Sequence, residues 1–345
     1  MKKNNIYQKR VTGLRKIMKA HGLEMVMVYS NWKDYSYGVF LNGVKPLQYQ
    51  YFFVTADDIG FLVPNYILQP YKLDIHKNSI GLKDPGISGQ LADFARNKKQ
   101  IGIVGPAPAK HLKEIKSKLV FLDEEVSFLM SEKSEAELKS IASTKKAAEM
   151  VLKKIEEKIR PGVRLDLLAK EAEEMLLEKV DSLAFPVIVY SDESKKSILS
   201  SFGFPSKVAK KDVIMVDIGA EKNGLMSDLS RMFFVNCPEL QKQYQLLSKA
   251  HNNAVKSIKI GTLTSVIPKI YEEEFEKAGL EYQSFNKEKM GRSVGFGLIE
   301  LPRIGEGLFT KSRIKAGMAI TVILKVKIGK KVVEKQDTLI FPKGR

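Results

Sequence analysis

A single cysteine, Cys237, occurs among the 345 residues. That excludes a disulfide framework and fits a reducing, cytoplasmic setting. No apolar run approaches the ~20 residues that a membrane helix needs, so no membrane partner is expected. The opening residues MKKNNIYQKRVTGL are basic but lack the apolar core of a secretory leader. Lysine and arginine exceed aspartate and glutamate by 57 to 40, a formal charge of +17. Yet the chain has no long basic run, zinc-finger spacing or aromatic–basic RNA signature. Its lysines come as short pairs, such as Lys98-Lys99, Lys145-Lys146 and Lys210-Lys211, usually with acids nearby. That is the pattern of a solvated surface, and nucleic acid is not expected as the partner. A nucleic-acid-associated protein working through this basic surface is the alternative reading of the charge.

What is present describes an ordinary globular chain. Hydrophobic residues make up 44% and charged residues 28%, enough to bury a sizeable core. The length predicts two domains. Apolar spacing over residues 6–20 predicts an amphipathic helix, and LEMVMVYS a strand. YQYFFVTADDIGFLVP reads as two strands about a turn, QIGIVG and KLVFLD as further strands, with a helical stretch around Leu91–Asn97. Alternating strands and helices predict a first α/β domain over 1–128.

Near Ser131 the pattern changes. Ser134 followed by Glu137 is a capping-box signature that opens a long helix, and Pro161-Gly162 ends the region. RLDLLAKEAEEMLLEKV, PELQKQYQLLSKAHNNAVKSIKI and LTSVIPKIYEEEFEKAG read as three more helices. AFPVIVYS, MAITVILKVKI and KVVEKQDTLIF read as strands. An α+β second domain over 132–345 with largely antiparallel strands is expected.

Within it, VIMVDIGAEKNGLMSDLSRMFFV reads as a hairpin turning at Asn223-Gly224. A two-residue loop would set Asp217 opposite Ser230 and Asp228 opposite Gly219. The two aspartates then share one face, diagonal to each other at about 7–8 Å along the backbone. Like charges held together in a partly buried place need a cation or a proton between them. The plainer reading is a pair of turn-flanking aspartates, with Asp228 tied to Arg231 or to backbone N–H groups.

VDIGAEKNGLMSDLSRMFFV closely resembles the metal-binding hairpin of the pita-bread metallopeptidases, which include Xaa-Pro aminopeptidases, prolidases, methionine aminopeptidases and creatinase-like enzymes. YQKRVTGLRKIMKAHGLEMVMVYS and DYSYGVFLNGV resemble the N-terminal domain of creatinase and prolidase relatives. The motifs AFPVIVYSD, IKAGMAITVILKV and EKQDTLIFPKG follow in family order. The resemblance implies an α/β creatinase/prolidase-like N-terminal domain and an α+β pita-bread C-terminal domain. It also implies two divalent metals (manganese, cobalt, zinc or iron) held by two aspartates, one histidine and two glutamates, with a bridging hydroxide as nucleophile.

Position by position, the match is incomplete. Asp217 and Asp228 fall on the two aspartates. Phe296 stands where the ligand histidine is expected, Ile323 where the first glutamate is, and Gln336 where the second is. Phe202 matches a substrate-binding histidine. The chain has four histidines, His21, His76, His111 and His251; three lie in the N-terminal domain, and His251 sits in a helix where a packing role is expected. Phe and Ile donate nothing to a metal, and Gln336 is a weak neutral oxygen ligand. No tightly bound cofactor is expected; one hard cation held weakly by Asp217, Asp228 and Gln336 is what remains available. Glu334, of the same strand parity as Gln336, and Glu300 are further carboxylates near the motifs. The metal-free creatinase variant also uses a cleft histidine, which is lacking here.

The expected function is therefore a degenerate pita-bread protein with no catalytic residues of the family kind, binding a peptide or small molecule. Phe202, Phe296 and Ile323 would line its cleft or fill it as core. The alternative is an active Xaa-Pro peptidase or other amide hydrolase with a rearranged, metal-poor site. Relatives with silenced pita-bread domains serve as histone-binding and growth-regulatory modules, and relatives of this layout are often homodimers, so a homodimer is expected.

Overall fold

The computed structural model describes residues 2–67, 79–83, 85–193, 196–199, 206–280, 290–307, 311–328 and 331–343. The chain divides into two compact units, Met1–Met130 and Ser131–Arg345.

The described residues of the first unit form six strands: β1 (Met25–Asn31), β2 (Tyr49–Thr55), β3 (Ile59–Pro64), β4 (Ser79–Leu82), β5 (Gln100–Val104) and β6 (Lys118–Phe121). They lie in the order β4-β3-β2-β1-β5-β6. β1 pairs antiparallel with β2 and parallel with β5. All of β1 from Met25 to Ser30 is buried, which is why its sequence is nearly unbroken apolar rather than alternating. The helix Lys2–Ala20 contributes Val11, Leu14 and Met18 to the interior. The helix expected around Leu91–Asn97 spans Ile87–Ala95, following Gly86 with φ 118°.

The second unit opens with the helix Glu135–Glu156. Ser134 Oγ accepts from the Glu137 N–H at 3.3 Å and the Glu137 carboxylate accepts from the Ser134 N–H at 2.8 Å. The capping box is thus formed as the sequence predicts, and it satisfies two of the helix's otherwise unpaired donors. Ser134→Ala is expected to lower stability by about 1 kcal/mol, read as a lower urea midpoint at unchanged slope. An unchanged midpoint would show that water replaces the cap at no cost.

Eight strands follow among the described residues: β7 (Ser182–Ser191), β8 (Lys196–Leu199), β9 (Asp212–Lys222), β10 (Leu225–Val235), β11 (Gly291–Ser293), β12 (Glu300–Ile304), β13 (Ala319–Ile328) and β14 (Lys331–Ile340). Their order is β12-β11-β13-β14-β10-β9-β7-β8, and the described pairings are antiparallel. The helices Glu135–Glu156 and Leu165–Leu177 bury Ala148, Val151, Leu168 and Ala172 against Val187, Val189, Val216 and Ile218 of β7 and β9. The helices Pro238–Ser257 and Ile267–Lys277 bury Leu247, Ala250, Tyr271 and Phe275 in a second cluster with Ile320, Val322, Leu324 and Val333 of β13 and β14. Strand alternation then leaves the intervening residues of β13 and β14 for the opposite face.

Candidate functional site

Asn223 and Gly224 carry φ angles of 55° and 73°, the paired left-handed conformation of a two-residue hairpin turn. The register is the one the spacing predicts: Asp217 opposite Ser230 and Asp228 opposite Gly219. Ser230 in turn faces Gln336 on β14, Gln336 faces Ile323 on β13, and Lys325 faces Glu334. Strand parity therefore places Asp217, Asp228, Ser230, Glu334, Gln336, Ile323 and Lys325 on one face across four strands. Thr338 fixes the Asp228 backbone: its hydroxyl accepts from the Asp228 N–H at 3.2 Å and donates to the Asp228 carbonyl at 3.0 Å.

The partner of Asp228 is not Arg231. Three residues along a strand point to opposite faces, so Arg231 turns away. Its Nη1 donates to the carbonyls of Ser230 and Gln336 at 2.8 and 2.7 Å. Arg292, on β11, takes the place instead: its Nη2 donates to Asp228 Oδ2 at 2.6 Å, and its Nε to the Leu298 carbonyl at 2.5 Å. Lys325 Nζ pairs with Glu334 Oε2 at 2.8 Å. Asp217, Asp228 and Glu334 thus share the face with Lys325 and Arg292, and Arg303 lies opposite Arg292 on β12.

Burial pushes the Asp217 carboxyl up to about 8, with Asp228 and Glu334 adding to the rise and Arg292 and Lys325 opposing it. Burial likewise pushes Asp228 up to about 6, against the pull of Arg292. Asp217 Oδ1, Asp228 Oδ1 and Gln336 Nε2 are buried without a hydrogen-bond partner among the described residues. A polar cluster of this kind holds protons tightly or takes up a complementary ligand.

The other predicted positions fall as follows. Phe296 is 1% exposed and fills the interior, the core-filling alternative for that ring. Ile323 is half-buried and Gln336 buried. Phe202 and His76 lie outside the described residues. Glu300 is not available as a ligand: its Oε2 accepts from Lys133 Nζ at 2.5 Å and its Oε1 from the Gly297 N–H at 2.9 Å. His251 is fully buried and packs, as expected, with its Nδ1 3.0 Å from the Tyr271 hydroxyl and its Nε2 3.8 Å from Asp337.

Residues 139–341, more than half of the chain, match metallopeptidase family M24. The chain belongs to that family. It is 23% identical to the Xaa-Pro dipeptidase of Pyrococcus horikoshii, over 99% of this chain and 96% of that protein. Its structure superimposes on the prolidase of the same organism with a TM-score of 0.81 at 22% identity, covering 97% and 95% of the two chains. It also superimposes on the N-terminal domain of FACT complex subunit SPT16 from chickpea, with a TM-score of 0.73 at 18% identity and 98% and 94% coverage. These likenesses establish the fold: a creatinase/prolidase-like α/β unit and a pita-bread α+β unit.

M24 enzymes generally depend on divalent metal. The residues of this M24 chain do not fit a metal pair. Ile323 offers no donor atom, Asp228 Oδ2 is committed to Arg292, and Glu334 to Lys325. Among the described residues, no group of three or more His, Cys, Asp or Glu side chains is placed to hold a metal ion.

Sequence reasoning missed Arg292, Lys325 and Lys133. Lys325 was within reach, because it has the same strand parity as Ile323. Arg292 had only the faint signal of a lone cation in the otherwise uncharged run MGRSVGFG. Lys133 reads as a surface residue in SEKSEAE, and nothing local marks it as buried.

Proposed function

We propose that this M24 protein does not hydrolyse Xaa-Pro peptides and uses its pita-bread cleft to bind a peptide or small molecule. One observation carries this reading: the Asp228 carboxylate is bonded to the Arg292 guanidinium at 2.6 Å. A guanidinium neutralises charge but has no coordination site at which to bind and acidify a water. The half-buried Ile323, opposite Gln336 on the same face, supports a drier, more apolar cleft, suited to recognition. No tightly held metal belongs to this reading, and a homodimer in the cytoplasm is proposed with it, on family resemblance and the single cysteine.

Purified protein supplied with Mn²⁺ or Co²⁺ is expected to leave Ala-Pro and Gly-Pro intact, assayed by proline release. Hydrolysis that chelator removes and Asp217→Asn abolishes would falsify the proposal and establish a rearranged, metal-poor hydrolase.

A further inference from the structure

Arg292 is held as a built feature and not as a stray surface charge. Its side chain is 16% exposed and that of Asp228 2%. The strand that carries it is seated against β13, with Gly291 opposite Val322 and Arg292 opposite Thr321. A Cβ on Gly291 would lie 2.2 Å from the Thr321 carbonyl oxygen, so β11 reaches this depth only because residue 291 has no side chain. The Nε bond to the Leu298 carbonyl then fixes the plane of the guanidinium. Its remaining reach is directed at Asp228.

Around that contact the cluster is short of partners. Asp217 Oδ1, Asp228 Oδ1 and Gln336 Nε2 are buried with no well-formed hydrogen bond among the described residues, although the Gln336 amide lies close enough to Asp228 to favour its charged form; Asp228 and Gln336 are 2% and 4% exposed. With Lys325 committed to Glu334, Arg292 is the cation that balances the aspartate pair. Two carboxylates and a terminal amide that can present its oxygen form a donor set for a hard divalent cation such as Mg²⁺, Ca²⁺ or Mn²⁺, with water completing the shell.

We infer that Arg292 is a built-in substitute for a cation: it excludes divalent metal from the hairpin, and its removal uncovers a single-cation site made by Asp217, Asp228 and Gln336. The inference rests on the non-hydrolytic reading above and gives that reading its physical cause. A fixed charge and hydrogen-bond donor replaces an ion that could leave, and the hairpin keeps its charge balance without metal.

Calorimetric titration of Mn²⁺ into the full chain tests it, using wild type, Arg292→Ala, Arg292→Gln and the double variant Arg292→Ala/Asp228→Asn. Wild type is expected to show no saturable binding at millimolar Mn²⁺. Arg292→Ala and Arg292→Gln are expected to bind one equivalent, with Mn²⁺ raising their melting temperatures by several degrees. Asp228→Asn in the double variant should remove both effects. Circular dichroism verifies that each variant is folded, and the glutamine variant, which keeps a polar group in the space, stands in if the alanine variant does not fold. Saturable binding to wild type as tight as to the variants would overturn the inference, because Arg292 then excludes nothing. Folded variants that take up no Mn²⁺ would overturn it equally, and would leave the non-hydrolytic reading intact. Ala-Pro hydrolysis by wild type, scored in the same samples, is the outcome that counts against that reading instead.

Discussion

Lys133→Ala is expected to destabilise the second unit by about 3–5 kcal/mol, the largest effect of any single substitution considered. The Lys133 side chain is 0% exposed and that of Glu300 2%. Its Nζ donates to Glu300 Oε2 at 2.5 Å and to the Ser131 carbonyl and Ser293 Oγ at 3.3 Å. Glu300 also accepts from Ser293 Oγ and from the Gly297 N–H. The pair therefore ties the start of the helix Glu135–Glu156 to the 293–300 loop, the stretch that carries Phe296. That loop is folded tightly over the lysine: a Cβ on Gly295 would lie 2.4 Å from Lys133 Cε.

Removing the lysine alone leaves a buried carboxylate without its cation, which is the costly outcome. Replacing both partners removes the uncompensated charge as well, so Lys133→Met/Glu300→Leu is expected to regain much of the loss. Urea midpoints of the single and double variants measure the difference. A double variant as unstable as the sum of its singles would show that the two charges act independently. This pair also explains why Glu300 is unavailable at the cleft although it lies close in sequence to the motif.

Asp217→Asn is expected to stabilise the protein, and more so as pH rises. The Asp217 carboxyl is pushed up to about 8 in the folded state, first by burial and then by Asp228 and Glu334; in the unfolded chain it titrates near about 3.9. Between those values the native state holds a proton that the unfolded state has lost. Stability therefore falls as pH climbs through that window. Asparagine has no proton to lose and escapes the penalty. The gain is of order 1–3 kcal/mol at pH 8, reduced for the partial exposure of Asp217, and shrinks towards zero near pH 4. Urea midpoints for both proteins at the two pH values decide it. A gain that does not grow with pH would mean that Asp217 is ionised throughout and compensated by a cation.

The hairpin was legible in the sequence down to its register. Asn223-Gly224 can adopt two successive left-handed conformations at little cost, and the period-2 pattern on each side leaves one pairing that keeps the apolar residues inside. The Ser134–Glu137 cap was legible for the same kind of reason, since both its bonds close within four residues. The partner of Asp228 was not. Arg231 is three residues away and carries the right charge, but strand parity turns it to the other face. Arg292, 64 residues away, arrives only because β11 is inserted beside β13. Glu300 and Lys133 are 167 residues apart, and each alone reads as a solvated charge.

The sequence by itself determined most of the strands, though not the short β4, β8, β11 and β12, together with the Ser134–Glu137 cap, the Asn223-Gly224 turn and the face that Asp217 and Asp228 share, because φ/ψ preference and side-chain periodicity are properties of neighbouring residues. It also placed near that pair Ile323, which offers a metal no donor, and Gln336, which offers only a neutral amide oxygen. Only the tertiary structure decided which cation meets which carboxylate. Charge pairing depends on distances of a few ångströms between strands remote in the chain, and on how deeply packing removes them from water. That packing gave Asp228 to Arg292 and Glu300 to Lys133, and among the described residues it gave Asp217 no bonded cation.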